Sequence, residues 1–206
     1  MLEIIAMATM LIDHIGAVFF PDMVFLRIVG RISFPIYCFL LVRGFHHTKC
    51  FRKYLLRLIL LAIVSQPIYS RLFGVDKLNV IFTLAACLII LKLIERPKIQ
   101  HIIISLLLTL ILATGIFEYG SYAVLMVLIY RWVKKPYMIL LAHFAVNLIH
   151  FFFFAWSQQL SILGSIIIIW SLRGVFPEKK INRMPYRAFY PVHLLCLLAI
   201  KTMTKI

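Results

Sequence analysis

Apolar runs long enough to form membrane-spanning helices follow one another along the whole chain, separated by short polar connections. About 20 apolar residues in a helix cross the hydrocarbon core of a bilayer. These runs are apolar on every side, whereas a helix at the surface of a soluble domain keeps a polar face. The pattern predicts an all-α, polytopic transmembrane bundle of about nine spans, with a range of eight to ten. The predicted spans are residues 3–20, 23–42, 54–73, 79–94, 101–117, 120–133, 137–156, 160–175 and 188–202.

The chain shows neither an internal repeat nor a linker, so residues 1–206 are predicted to form a single integral membrane domain. The first run is predicted to be a retained span. "MLEII" carries an acid where a cleavable signal peptide has Lys or Arg, and "AVFFPD" is not a small-residue cleavage site.

Charge refines this picture and predicts an orientation. The chain has 22 Lys and Arg against 7 Asp and Glu. In a soluble protein this balance would suggest nucleic acid as a partner, but cationic loops in a membrane protein set its orientation, and no nucleic-acid partner is predicted. If the helices alternate, 16 cations lie on one side, in the connections 43–57, 92–98, 131–135 and 173–187. The positive-inside rule makes that side, and the N-terminus, cytoplasmic.

The first two spans carry charged and titratable groups inside apolar sequence. Asp13 and His14 lie roughly 12 Å below the turn at Pro21, at 1.5 Å per residue, and Arg31 reaches about the same depth on the returning helix. Arg27 lies one turn higher on the same face. One interpretation is an Asp13–Arg31 ion pair that only joins two helices. The other is that Asp13 orients His14 as a general base, while the arginines hold an anion or a developing oxyanion.

Further polar groups lie at the predicted outer ends of other spans. Asn79 begins the fourth span, and Glu118 and Tyr119 lie between the fifth and sixth. Asn79 can also be read as a helix cap, and the "EYG" stretch as an ordinary polar turn. Because these residues lie at one level, we nevertheless expect them to surround the outer opening of a site that contains the charged groups of the first two spans.

The seventh span places His143, Asn147 and His150 on one helical face. Interhelical hydrogen bonding is the favoured interpretation. Neither a carboxylate nor a thiol lies nearby in that helix to complete a metal site, and no metal is predicted.

The last predicted span opens with an aromatic and basic sequence. Tyr190 and His193 are predicted near the cytoplasmic face, with Pro191 in the first turn, where proline is tolerated. One interpretation is an interfacial aromatic anchor with an incidental histidine. The other follows from the basic connections around Arg187, which would attract the phosphates of a nucleotide-bearing cosubstrate.

Six segments, taken in order, resemble the TraX family of bacterial membrane proteins. They are "DHIG" (13–16), "RIVGRISFPIYCFLLVRGF" (27–45), "YLLRL" (54–58), "LNVIFT" (78–83), "EYG" (118–120) and "FYPVHL" (189–194). The resemblance covers about residues 5–196. The chain departs from the family pattern at Glu118, where Asp is expected, and at Arg43, where the family motif has Glu before Gly44.

The resemblance implies N-terminal acetylation of F-type pilin subunits, with acetyl-CoA as the donor. It also implies kinship with other membrane-embedded acyltransferases, such as the lysosomal enzyme that acetylates heparan sulfate glucosamine. Together with the residue pattern, it predicts an acetyltransferase of the bacterial inner membrane. Its acceptor would be an amine, such as a pilin or other peptide N-terminus, or a hydroxyl, including that of a glycan.

The predicted site comprises the catalytic residues His14 and Asp13, the substrate-binding residues Arg27, Arg31, Asn79, Glu118 and Tyr119, and the cofactor-binding residues His193, Tyr190 and Arg187. Two alternatives belong to other classes. A proton-coupled transporter would also use intramembrane charges, although neither an inverted repeat nor paired broken helices are visible. A non-catalytic membrane component of a conjugation or secretion apparatus is the other.

Overall fold

The structure is a computed structural model that describes residues 1–153, 161–175 and 183–204. These ranges contain ten α-helices. They are α1 (Leu2–Phe19), α2 (Val24–Gly30), α3 (Ser33–His47), α4 (Phe51–Phe73), α5 (Val80–Ile94), α6 (Ile99–Ala113), α7 (Gly120–Trp132), α8 (Pro136–Phe153), α9 (Ile162–Leu172) and α10 (Arg183–Thr204). The all-α prediction is confirmed.

The helices follow the predicted spans one by one. A turn at Arg31 and Ile32 separates α2 from α3, and the two helices together form one apolar stretch, Val24–His47. Within the described ranges, three stretches are long and apolar enough to cross a membrane, namely Leu2–Phe19, Val24–His47 and Phe51–Phe73. The number of crossings and the cytoplasmic N-terminus stay predictions. Residues 154–156 and 160 of the predicted spans lie outside the described residues.

Local sequence explains where α4 ends and α5 begins. α4 ends at Gly74, whose φ of 64° is in the left-handed region that glycine adopts without a steric penalty. The Asn79 side chain then accepts a hydrogen bond from the Ile81 backbone N–H, which caps α5. Together, the glycine and the cap produce a short connection between α4 and α5, which pack side by side as antiparallel helices.

The helices pack around a core to which α3, α5 and α7 contribute many side chains. Tyr122, Ala123, Met126 and Val127 of α7 are each 1% exposed or less. α6 packs only against α5 and α7 among the principal helix pairs, and it exposes a continuous set of large apolar side chains, including Ile103. Such a surface is stable only in apolar surroundings, which the lipid of a membrane provides.

The last helix begins five residues earlier than predicted, which corrects two positions. Because α10 starts at Arg183, Pro191 lies in the interior of the helix and not in its first turn. His193 lies about 15 Å along α10, and His14 about 18 Å along α1, at 1.5 Å per residue. α10 packs against α1 and α4, so the two histidines come to the same level of the bundle.

Candidate active site

A cavity of about 1390 Å³ runs lengthwise through the bundle between α1, α3, α4 and α10. At the end where α1 begins it is lined by the exposed cations Arg43, Arg57 and Arg187, here called the basic end. At the opposite end it is lined by Glu118 and by the exposed Lys77. Exposed residues therefore line the cavity at both ends.

His14 lies on the wall of this cavity and forms a hydrogen bond with a second imidazole. Its Nδ1 lies 2.8 Å from Nε2 of His193 on α10. The Phe73 ring approaches His14 edge-on, with ring centroids 5.1 Å apart, and Tyr190 approaches it edge-on from α10. Aromatic contacts and one hydrogen bond thus fix the orientation of the His14 ring.

The partner of His14 corrects two predictions. Asp13 does not orient His14, because the hydrogen-bond partner of His14 is His193. His193 was also predicted to lie near the basic face and to bind a cofactor. The earlier start of α10 instead carries it to the level of His14, where it lies behind that ring and does not line the cavity.

Asp13 forms an ion pair with Arg27. One interpretation of the sequence had paired it with Arg31, and the structure corrects this prediction. Arg27 Nη1 lies 3.1 Å from Asp13 Oδ2 and donates a hydrogen bond of 3.0 Å to the Asp13 backbone carbonyl. α2 ends at Gly30, and Arg31 follows it with helical backbone angles, a φ of −62° and a ψ of −16°. Asp13 is 8% exposed, and its Oδ1 is enclosed without a hydrogen-bond partner among the described groups.

Arg31 instead binds Tyr119, in the connection between α6 and α7. Arg31 Nη1 donates a hydrogen bond of 2.7 Å to the Tyr119 hydroxyl. The Tyr119 ring lies parallel to that of Phe34, with centroids 3.6 Å apart. Burial raises the pKa of Tyr119 to about 12, so its hydroxyl keeps its proton at neutral pH and can donate it to a ligand.

Tyr119 holds a backbone conformation that is unfavourable for a bulky residue, with a φ of 61°. Neighbouring contacts enforce it. The Glu118 N–H donates a hydrogen bond of 3.0 Å to the Leu78 carbonyl, and Thr83 Oγ1 donates one of 2.7 Å to the Glu118 carbonyl. Strain of this kind persists where the surroundings over-determine it, commonly at functional sites.

Asn79 serves as the helix cap, which was the alternative interpretation of this residue. Its Nδ2 donates hydrogen bonds of 2.9 Å to the Ala62 carbonyl and to Gln66 Oε1, and its Oδ1 accepts one of 3.0 Å from Ile81 N–H. It is fully buried and does not line the cavity. The structure therefore gives Asn79 a role in joining α4 to α5 and no contact with the space where a substrate would lie.

The structure brings most of the predicted site residues to one space. Those that line the cavity are Asp13, His14, Arg27, Arg31, Glu118, Tyr119, Arg187 and Tyr190. The sequence interpretation missed Phe34 and Phe73, which position Tyr119 and His14, and the part of Arg43 and Arg57 in the basic end. The excess of cations in connection 43–57 was a signal for the last two, but nothing local marked the two phenylalanines.

A second polar cluster joins α7, α8 and α9 away from the cavity. The Tyr122 hydroxyl lies 2.9 Å from His143 Nε2, 2.8 Å from Asn147 Oδ1 and 2.6 Å from Ser161 Oγ, and His143 Nδ1 also contacts Ser165 Oγ. The predicted interhelical hydrogen bonding by this face of α8 is confirmed for His143 and Asn147. In the part of the chain that the structure describes, no group of three or more His, Cys, Asp or Glu residues could hold a metal ion.

Comparison with known proteins decides the family. The family model described as "TraX protein" matches residues 1–201. The chain belongs to the TraX family. It is 31% identical to a TraX-like relative, the "Probable fimbrial assembly protein FimC, serogroup H1" of Dichelobacter nodosus, over an alignment that covers 97% of this chain and 94% of that protein.

A shorter stretch of this TraX protein is 33% identical to the protein RP591 of Rickettsia prowazekii (strain Madrid E), covering 35% of this chain and 27% of the relative. No solved structure matches the chain. The predicted TraX resemblance is confirmed, and together with the apolar helices it identifies a membrane protein.

Proposed function

We propose that this TraX protein is a membrane acyltransferase that moves an acetyl group from acetyl-CoA to an acceptor amine or hydroxyl. One observation carries the proposal. One cavity is lined at both ends by exposed residues and contains, between them, the imidazole of His14, the Asp13–Arg27 ion pair and the guanidinium of Arg31. The relative named as a fimbrial assembly protein supports a pilin or other peptide N-terminus as the acceptor.

The basic end fits the donor. Arg43, Arg57 and Arg187 would attract and bind the phosphates of a coenzyme A thioester, and Tyr190 lines the path beyond them. The middle of the cavity is lined by apolar side chains such as Leu58 and Leu61, which suit a pantetheine arm. The volume of about 1390 Å³ exceeds the range typical of small-ligand pockets, roughly 300–1,000 Å³, and leaves room for an elongated donor.

The charged groups fit the chemistry of the transfer. The acceptor N–H or O–H would lose its proton to His14, and the acceptor atom would form a bond to the acetyl carbonyl carbon. The C–S bond would break, and the thiolate would take up the proton from His14, giving free CoA and the acetylated acceptor. Arg27 and Arg31 would stabilise the negative charge that develops on the carbonyl oxygen. Asp13 would hold Arg27 in place.

The direction of transfer follows from the positive-inside rule. It would place the basic end in the cytoplasm, where acetyl-CoA is made, and the end lined by Glu118 and Lys77 on the outer side of a bacterial inner membrane. The donor and the acceptor would then enter the cavity from opposite faces.

Radiolabelled acetyl-CoA provides the test. Purified protein in detergent is incubated with the donor and a peptide with a free N-terminal amine, and release of the CoA thiol and label on the peptide are both measured. His14→Ala should abolish both signals, and His101→Ala, at a histidine outside the cavity, should preserve them. Absence of CoA release from the unmodified protein, as expected of a permease or an assembly component, or full activity of His14→Ala, would refute the proposal.

A further inference from the structure

The contacts of the two imidazoles on α1 and α10 determine which ring nitrogens carry a hydrogen. His193 Nδ1 lies 2.7 Å from the backbone carbonyl of Phe189. A carbonyl oxygen only accepts hydrogen bonds, so Nδ1 of His193 must carry a hydrogen. In a neutral imidazole the other nitrogen then carries none, and Nε2 of His193 is an acceptor.

The same reasoning extends to His14. Its Nδ1 lies 2.8 Å from that acceptor nitrogen, so it must carry a hydrogen and donate it. The two rings are nearly coplanar, at 15°, with centroids 5.0 Å apart. Because the two nitrogens are only 2.8 Å apart, a centroid separation of 5.0 Å requires both nitrogens to lie between the ring centres, so the hydrogen bond runs edge to edge in the ring planes.

Burial favours the neutral forms of both rings. His193 is buried against the rings of Phe189 and Tyr190, where an unpaired positive charge is costly. The guanidiniums of Arg27 and Arg31 would also repel a positive charge on His14. Asp13 forms its ion pair with Arg27 and makes no hydrogen bond to either histidine. The other aromatic rings in contact with His14 are those of Phe73 and Tyr190, which are uncharged.

The remaining nitrogen of His14 faces the cavity. Nε2 forms no hydrogen bond within the described ranges, and it is not one of the enclosed polar atoms that lack a partner. His14 is partly exposed and lines the cavity, whereas His193 does not. The lone pair of His14 is therefore directed to the space where the acceptor would bind.

We propose that His193 is a positioning residue that holds His14 in the Nδ1–H tautomer and so leaves Nε2 as the base that faces the cavity. His193 would thus fill the place that a carboxylate fills beside the histidine of a hydrolase triad. The contribution of this pair to acetyl transfer rests on the proposed function, but the tautomer itself does not.

Nuclear magnetic resonance reads the tautomer directly. The full chain is labelled with ¹⁵N-histidine, and long-range ¹H–¹⁵N correlations in micelles show which ring nitrogen carries the hydrogen. The His14 signals are identified by their loss in His14→Gln. Both His14 and His193 should be Nδ1–H tautomers in the unmodified protein. An Nε2–H form of His14 would overturn the inference.

Two substitutions separate positioning from packing. His193→Gln places a carbonyl acceptor near the position of Nε2, so His14 should stay in the Nδ1–H form and most of kcat should remain. His193→Leu removes the acceptor. It should give a mixture of His14 tautomers and lower kcat by about 100-fold, the lower end of what a general base contributes, with the KM for acetyl-CoA unchanged.

His150→Leu is the matched control. His150 is a buried histidine on α8 with a similar bond, 3.2 Å from its Nδ1 to the Val146 carbonyl, but it lies outside the cavity and away from His14. Its loss should leave the His14 tautomer unchanged. If His193→Leu keeps the Nδ1–H form, or if His193→Gln loses it, the inference fails whatever the activity. If the tautomers are as expected but no CoA is released, only the proposed function fails.

Discussion

Gly30 of α2 packs closely against Asp13 of α1, and its replacement by alanine is a sharp test of the site geometry. A Cβ built at Gly30 would lie 2.2 Å from Asp13 Cβ and 2.3 Å from Asp13 Oδ1. Carbon atoms in favourable contact are about 3.5–4.0 Å apart. The substitution therefore forces the two helices apart by more than about 1 Å at the level of the Asp13–Arg27 ion pair.

The cost of this overlap exceeds the gain from helix propensity. Alanine is favoured over glycine within a helix by at most about 1 kcal/mol, and less at the final residue of α2. Inserting a methyl group into a packed interior costs about 1–3 kcal/mol. The cost should lie at the upper end, because Asp13 Cβ is fixed to the backbone of α1 and cannot rotate away. We expect Gly30→Ala to lower the free energy of unfolding by about 1–2 kcal/mol net.

Equilibrium unfolding in mixed micelles, with increasing denaturing detergent, measures this difference. Gly44→Ala in α3 is the control, because its new Cβ would meet the Tyr54 hydroxyl at 2.7 Å, at the end of a side chain that can rotate. The control should change stability by less than about 1 kcal/mol. If Gly30→Ala is as stable as the unmodified protein, the close approach of α1 and α2 described here is wrong.

Three further substitutions test the surrounding structure. Tyr122→Phe should lower the free energy of unfolding by about 1–3 kcal/mol, because it removes a buried hydroxyl that lies within hydrogen-bond distance of His143, Asn147 and Ser161. CoA release per folded molecule should be unchanged, since Tyr122 does not line the cavity. Asn79→Ala should lower it by about 1 kcal/mol or more through loss of the α5 cap, as chemical unfolding would show, and unchanged stability would contradict the capping role. Tyr119→Phe should lower kcat through loss of the hydrogen bond to Arg31. Since the Tyr119 pKa is about 12, the pH–rate profile should keep its shape below about pH 10, and a lost alkaline limb in that range would contradict the assignment.

The helical architecture could be predicted from the apolar runs, because a long apolar run is by itself typical of a membrane helix. The start of α10 could not be predicted. Residues 183–187, "RMPYR", are too polar to count as membrane sequence, yet nothing prevents a helix from extending beyond its apolar part. Because of this five-residue difference, His193 lies at the level of His14 and not near the cytoplasmic face, where it was predicted.

The polar groups of the first two spans could be placed at one level from helical rise alone, but their pairing could not. Arg27 and Arg31 lie one helical turn apart on the same face, so the sequence leaves both open as partners of Asp13. The choice depends on a distant residue, because Arg31 donates a hydrogen bond to Tyr119, in the connection between α6 and α7. The hydrogen-bond partner of His14 could not be predicted either. It lies 179 residues away, and no local sequence pattern specifies which helices pack against α10.

The meeting of α1 with α10 has a consequence for how the protein is made. The ribosome releases these two helices at the start and at the end of synthesis. A nascent chain that has threaded α1 into the bilayer must therefore carry His14 without its imidazole neighbour until α10 is translated and docks between α1 and α4. Under the proposed function, the unfinished pocket would lack its positioning histidine during that interval, so a polypeptide released before α10 is made would transfer acetyl groups slowly.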